Sequence, residues 1–174
     1  MTKIVIDTNI AFSAFLNVDS RIGQILLTGH KNYDFYAPEY LKIEILEHKD
    51  KIKNIAKLSD DAFIELYEVI LHHISILNHT VIPKELYQKA EILCEDIDID
   101  DTIFVAVTDF TRGKLWTGIL TLQNGLIKKG YKRLIKTEDL YRDFISKVNL
   151  ENKYWRQHLS IVFGDSQICT YGQY

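Results

Sequence analysis

Short runs of apolar, β-branched residues alternate along the chain with stretches in which apolar residues recur every three or four positions. The first pattern predicts strands at residues 3–6, 33–37, 80–82, 115–117 and 132–136. The second predicts helices at 10–16, from Ser20 to a stop at Gly29, from Pro38, from Ser59 through Leu77, and at 85–93, 102–110 and 137–148. Strands that alternate with helices favour a three-layer α/β/α fold with a parallel sheet.

Carboxylates follow or face the predicted strand ends. Asp7 comes directly after the first strand, and Glu44 lies six residues after Pro38 on the next predicted helix. Asp98, Asp100 and Asp101 precede an apolar helix. Each of them has an ordinary alternative as a helix cap or a solvated charge. Brought together, however, they would repel one another unless a cation offset them, and Mg²⁺ or Mn²⁺ takes such oxygen ligands.

Composition narrows the classes of protein. The chain has 174 residues, of which 47% are hydrophobic and 26% charged, so one packed globule is expected. Its net charge of −3 gives no overall field that would attract nucleic acid. The first residues carry no secretory signal, no run is long enough to span a membrane, and Cys94 and Cys169 form no disulfide framework. We therefore expect a cytoplasmic protein.

Three other interpretations of the acidic residues fail. Asp96, Asp98 and Asp100 imitate the start of a calcium-binding EF-hand loop, but the sixth position is Asp101 where that loop needs glycine. A dinucleotide-binding turn needs glycines after the first strand, and none follows Asp7. A phosphatase of the Asp-x-Asp type is disfavoured because Asn9 occupies the second acidic position.

Four motifs together resemble the PIN-domain superfamily, which includes the toxin halves of VapBC-type toxin–antitoxin pairs. They are Lys-Ile-Val-Ile-Asp-Thr-Asn at 3–9, Ala-Pro-Glu-Tyr-Leu at 37–41 leading to Glu44, Asp-Ile-Asp-Asp-Thr-Ile-Phe-Val-Ala at 98–106, and Leu-Trp-Thr-Gly at 115–118. The resemblance spans residues 3–140 and implies a five-stranded parallel sheet in the order 3-2-1-4-5. In that order the ends of strands one and four lie side by side.

The resemblance also implies a site. Asp7, Glu44 and Asp101 would be the catalytic, metal-binding positions, with Asp98 as a further candidate ligand. The supporting polar candidates are Thr8, Asn9, Thr117 and Asn124. The family usually has an acidic residue directly after Thr-Gly, but this chain has Ile119, which offers no oxygen to a metal. Asp98, Asp100 or Asn124 are the candidates to compensate.

The resemblance implies a Mg²⁺- or Mn²⁺-dependent endoribonuclease. A role as the toxin of a toxin–antitoxin pair would add a cognate antitoxin as partner, and we also expect a homodimer. The alternative is a weakened or inactive PIN-type module that binds RNA or protein. Candidate RNA-binding residues are Lys128, Lys129, Lys132 and Arg133, with Lys49, Lys51 and Lys53 as further cations. Residues 1–148 would form the nuclease domain and 149–174 a packed C-terminal extension.

Overall fold

All strands of the sheet run parallel. The computed structural model describes the backbone of residues 1–163 and the side chains of residues 1–150. Within that part the strands are β1 (Thr2–Ile6), β2 (Tyr33–Pro38), β3 (Ile74–Leu77), β4 (Lys114–Trp116) and β5 (Leu134–Ile135). Their order is β3-β2-β1-β4-β5. The fold class and strand order expected from the resemblance are confirmed.

Helices cover both faces of this sheet. Over residues 1–163 they are α1 (Thr8–Leu16), α2 (Arg21–Thr28), α3 (Tyr40–Glu47), α4 (Lys49–Ala56), α5 (Asp60–His72), α6 (Lys84–Cys94), α7 (Thr102–Thr111), α8 (Leu120–Lys128) and α9 (Thr137–Phe163). Successive strand residues point to opposite faces. Ile4 and Ile6 therefore join one apolar cluster with Phe15 and Phe63, whereas Val5 joins a second cluster with Phe104.

The third strand lies earlier than its pattern predicted. The helix expected through Leu77 ends at His72, residues Ile74–Leu77 form β3, and the predicted strand at 80–82 is wrong because His79–Val81 is a 3₁₀ turn. Ile70, Ile74 and Leu77 are spaced as on a helix, and no glycine or proline marks the break. The β-branched segment Ile74–Leu77 forms a strand because it pairs with the edge of β2. Local spacing does not reveal this tertiary contact.

Pro38 ends a strand and does not begin a helix. It pairs with Leu77 in the sheet, and the Glu39 amide donates a hydrogen bond of 3.0 Å to the Leu77 carbonyl. The ladder therefore continues past the proline and delays α3 to Tyr40, which places Glu44 just over one turn into the helix. Two helices, α4 and α8, lie where none was predicted.

The last helix is longer than its amphipathic pattern. It was expected to stop at Val148, but α9 continues to Phe163 without a break, so residues 149–163 are helical and not irregular. The side chains predicted to pack the extension lie outside the described side chains: Tyr154, Trp155, Leu159, Ile161, Val162 and Phe163. The boundary at 148/149 stays a prediction. No helix in the described part of the chain is both long and apolar enough to cross a membrane.

One hydrogen bond ties β4 to the start of α9 and can be tested. The Trp116 side chain is fully buried, and its indole N–H donates to Thr137 Oγ1 at 2.9 Å. Thr137→Val keeps the shape but leaves that N–H unpaired, which should lower the free energy of unfolding by about 1–3 kcal/mol. Thr137→Ser retains the acceptor and should stay near wild type. Chemical denaturation of the three proteins measures the difference, and equal losses in both variants would contradict it.

Candidate active site

Asp7 follows β1, the strand at which the order of strand addition reverses. The chain goes from β1 outward to β2 and β3 and then returns to β4 on the other side of β1. Ligands of open α/β sheets bind at the carboxyl ends of strands at such a point. Pairing of Ile6 with Trp116 and a 3.1 Å bond from the Asp7 amide to the Trp116 carbonyl bring the two strand ends together.

Asn9 joins the loops that follow β1 and β4. Its amide nitrogen donates to Asp7 Oδ2 and, at 3.3 Å, to Thr117 Oγ1. Its amide oxygen accepts from the Gly118 backbone N–H at 2.7 Å. A Cβ at residue 118 would lie 2.9 Å from that oxygen, so a side chain there would displace the Asn9 amide. Asn9 thus fixes both the Asp7 carboxylate and the Thr-Gly turn.

Glu44 is brought in from α3 by a partner on α1. Thr8 Oγ1 donates to Glu44 Oε2 at 2.5 Å. Because Thr8 follows Asp7 directly, this bond places the α3 carboxylate beside the end of β1. Glu44 itself is half-buried.

Asp101 is buried without a complete set of partners. It ends the 3₁₀ turn Ile99–Asp101 before α7, and it is 7% exposed. Its Oδ2 is buried and has no hydrogen-bond partner among the described residues. Asp98 is exposed and caps the same turn, since its Oδ1 accepts from the Asp100 amide at 3.1 Å. A buried carboxylate oxygen with no donor is costly and suits a ligand that supplies positive charge.

The electrostatics of the site disfavour ionised carboxylates. Burial is the main reason that the pKa of Asp101 rises to about 7, and the charges of Asp7, Asp98, Glu44 and Asp100 add to the rise. Burial also raises the pKa of Asp7, against the lowering effect of its hydrogen bonds with Thr117 and Asn9. Without a cation, Asp101 is therefore partly protonated near neutral pH.

A cleft of about 450 Å³ gathers most of the predicted site residues. Its walls include Asp7, Thr8, Asn9, Glu44, Asp98 and Asp101. They also include residues to which the sequence gave no role: Phe12, Ser13, Tyr40, His48 and Phe104. Phe12 and Ser13 lie one helical turn after Thr8 and Asn9, so helix periodicity contained a signal for both. Lys51 brings a positive charge to the rim.

Ile119 lines the same cleft from the β4 side. It is half-buried and packs against the apolar cluster that contains Phe104 and Leu122. Its backbone N–H donates to Thr117 Oγ1 at 3.1 Å, so the turn holds its shape without an acidic side chain. The wall that would carry a further carboxylate is instead aliphatic.

The remaining predicted residues lie away from the cleft. Asn124 is exposed on α8 and is not part of the cleft wall. Lys129 pairs with Asp96 and also donates to the Ile92 carbonyl at 3.0 Å. Lys132 and Arg133 line a recess at the amino ends of β1 and β4, across the sheet from Asp7. The RNA-binding role of Lys128, Lys129, Lys132 and Arg133 stays a prediction.

The donor chemistry fits a hard divalent cation. The cleft offers carboxylate oxygens, one of them buried and unpartnered, and no sulfur or imidazole takes part in the proposed set. The side chains do not form a complete ligand set: within residues 1–150, no three His, Cys, Asp or Glu side chains lie close enough together to hold a metal ion. Thr8 and Asn9 hold oxygens of Glu44 and Asp7, so loading would require these side chains to shift.

The fold and the site define a class of protein: an open, parallel α/β sheet with an acidic cleft at the point where its strand order reverses. Comparison with family profiles gives the same answer, because the PIN domain profile matches residues 5–140. The chain therefore belongs to the PIN domain family, whose members are typically nucleases that bind divalent metals. No curated protein matched the chain.

The raised pKa of Asp101 predicts how stability depends on pH without metal. Its folded pKa of about 7 exceeds the ordinary value of 3.8, so the folded state binds the proton more tightly and loses stability as pH rises through 7. Asp101→Asn removes this loss and should raise the Tm at pH 8, by roughly 2–4 °C for each kcal/mol recovered. The gain should shrink as pH falls below about 7.

Thermal denaturation in a chelator, from pH 8 down to about pH 5, measures this difference. Asp19→Asn is the matched control, because Asp19 is exposed in the loop before α2. A Tm difference for Asp101→Asn that does not change with pH would show that the carboxylate is ionised throughout.

Proposed function

We propose that this PIN domain is a metal-dependent endoribonuclease. The observation that carries the proposal is the buried, unpartnered Asp101 oxygen beside Asp7 at the switch point of the sheet. Keeping that oxygen buried opposes stability, and the cost is explained if the carboxylate is reserved for a cation. The family to which the chain belongs supports nuclease chemistry at this edge.

Each residue has a distinct task in this proposal. Asp7, Glu44 and Asp101 would hold Mg²⁺ or Mn²⁺, with Asp98 at the rim. The bound ion would supply Lewis acidity and a more acidic water at the phosphate. Asn9 and Thr8 orient the Asp7 and Glu44 carboxylates through their hydrogen bonds. Phe12, Phe104 and Ile119 line the cleft with apolar surface that limits water.

A second candidate function rests on Ile119. Its aliphatic side chain occupies the wall where the resemblance calls for an acid, and it packs into the core below. Three carboxylates can hold one hard cation with water in the other positions, but they offer little to a second ion. The alternative is therefore a weakened or inactive PIN module that binds RNA or protein.

We further propose that the protein is the toxin of a toxin–antitoxin pair, with a cognate antitoxin as partner, and that it forms a homodimer. A small DNA-binding protein encoded beside this chain would support the toxin role. Sedimentation of the purified protein tests the dimer.

Neutralising a proposed ligand should abolish cleavage. Asp7→Asn, Glu44→Gln and Asp101→Asn preserve side-chain size but remove a charge. Each should lower Mn²⁺-dependent RNA cleavage by at least about a hundredfold, the scale typical of losing one electrostatic group in an active site. Glu47→Gln is the control, because Glu47 lies on the exposed side of α3 and does not line the cleft. Full activity in all three variants would mean that the site is elsewhere.

Restoring the acid after Thr-Gly should separate the two functions. Ile119→Asp adds an oxygen ligand to the cleft wall, so we expect tighter Mn²⁺ binding by calorimetry and faster cleavage of a fluorogenic RNA, with some loss of stability from replacing an apolar contact. Ile119→Asn has the same shape without the charge and serves as the control. A wild type that binds RNA but cuts only after this substitution would favour the binding-module alternative.

A further inference from the structure

A second recess opens beside the acidic cleft. We call it the tyrosine groove and define it by Tyr40, Tyr87, Ile82, Ile103, Lys84 and His79, which line about 650 Å³. Its walls come from the start of α3, the turn before α6, the first half of α6 and the start of α7. None of these residues belongs to the proposed ligand set.

The groove is continuous with the acidic cleft. Tyr40 and Asp100 line both spaces. Tyr40 is the first residue of α3, just over one turn before Glu44, and Asp100 directly precedes Asp101. A chain-like ligand whose phosphate lies in the cleft would therefore pass its neighbouring unit into the groove.

The chemistry of the groove suits a flat aromatic ligand. Tyr40 is 38% exposed and Tyr87 is 39% exposed, so both rings have accessible surface. Ile82 and Ile103 supply apolar wall behind them. Aromatic side chains in such settings stack on the bases of single-stranded RNA, and each stacked base is worth about 1–3 kcal/mol. The volume of the groove falls within the range of roughly 300–1,000 Å³ found for small-ligand sites.

Charge argues for the same ligand. The acidic cleft repels phosphates, and the net charge of −3 gives no general attraction for RNA. Binding energy must therefore come from uncharged contacts and from local cations. Lys84 and His79 line the groove, and Lys84 is exposed, so its ammonium is available to a phosphate.

We propose that the tyrosine groove binds an unpaired RNA base next to the phosphate held at the acidic cleft, by stacking on Tyr40 and Tyr87, with Lys84 on the adjoining phosphate. This inference rests on the proposed function, since it names a substrate subsite of that nuclease. A paired base is not free to enter the groove, so this subsite takes only an unpaired base.

Fluorescence of a base analogue tests the stacking directly. The probe is a short oligouridine with one central 2-aminopurine, whose emission falls when it stacks, titrated with the full chain in Ca²⁺. Wild type should quench the probe. Tyr40→Leu and Tyr87→Leu should each weaken binding about tenfold, or about 1.4 kcal/mol, and reduce the quenching at saturation. Tyr40→Phe and Tyr87→Phe keep the ring and should behave as wild type.

Salt dependence tests the lysine. Lys84→Gln should make the slope of log affinity against log salt shallower by about 0.7. Lys89→Gln is the matched control, because Lys89 is exposed on the same helix but does not line the groove. In cleavage assays Tyr87→Leu should raise KM with little change in kcat, since Tyr87 lines the groove and not the acidic cleft.

The outcomes separate the inference from the function on which it rests. If wild type cleaves RNA while the Leu variants bind, quench and cleave like wild type, the groove is not a base site and the nuclease proposal stands. If wild type neither binds nor cleaves, both proposals fail. If the Leu variants instead convert a dimer to a monomer in sedimentation and leave quenching unchanged, a second copy of the chain covers the groove and the inference is overturned.

Discussion

Burial of β1 on both faces is the constraint on which the rest of the structure depends. Ile4, Val5 and Ile6 are completely buried, and the strand pairs with β2 on one side and β4 on the other. A strand fixed in this way cannot shift its register without moving its apolar residues to the wrong cluster. The residue that follows it, Asp7, is held just as firmly, although its burial opposes its charge. The core thus positions the backbone of the site, and hydrogen bonds within the site orient its side chains.

The three carboxylates of the cleft, Asp7, Glu44 and Asp101, are not held in the same way. Hydrogen bonds from Asn9 and Thr8 orient the carboxylates of Asp7 and Glu44. One oxygen of Asp101, by contrast, has no partner among the described residues, and burial raises the pKa of this carboxyl to about 7. The carboxylates therefore differ in character although they share one cleft. The first two are oriented by neighbouring side chains, and the third has an oxygen that no described donor satisfies.

The sequence predicted the parts of the fold in which local pattern and tertiary packing agree. Examples are the first strand with Asp7, the second strand and the apolar helix after Asp101. The strand order was predicted from the family resemblance. The local pattern failed at residues 74–77, where helical spacing and β-branched composition conflict and the free edge of β2 decides. The sequence also did not show where Lys132 and Arg133 lie relative to Asp7, because local pattern does not reveal that the chain after α8 returns to the opposite end of the sheet. Their RNA-binding role stays a prediction.

The contact between Asn9 and Gly118 has a consequence for how such a protein can evolve. A side chain at residue 118 would displace the Asn9 amide, and Thr117 forms hydrogen bonds with Asn9 and the Ile119 amide. Position 119 is therefore the first place after β4 where mutation can alter the cleft wall without dismantling the turn. A substitution at this position would change the charge of the cleft wall and would give up the apolar contact that Ile119 makes with the second cluster. The fold thus contains a position at which the chemistry of the cleft can vary while the architecture is inherited unchanged.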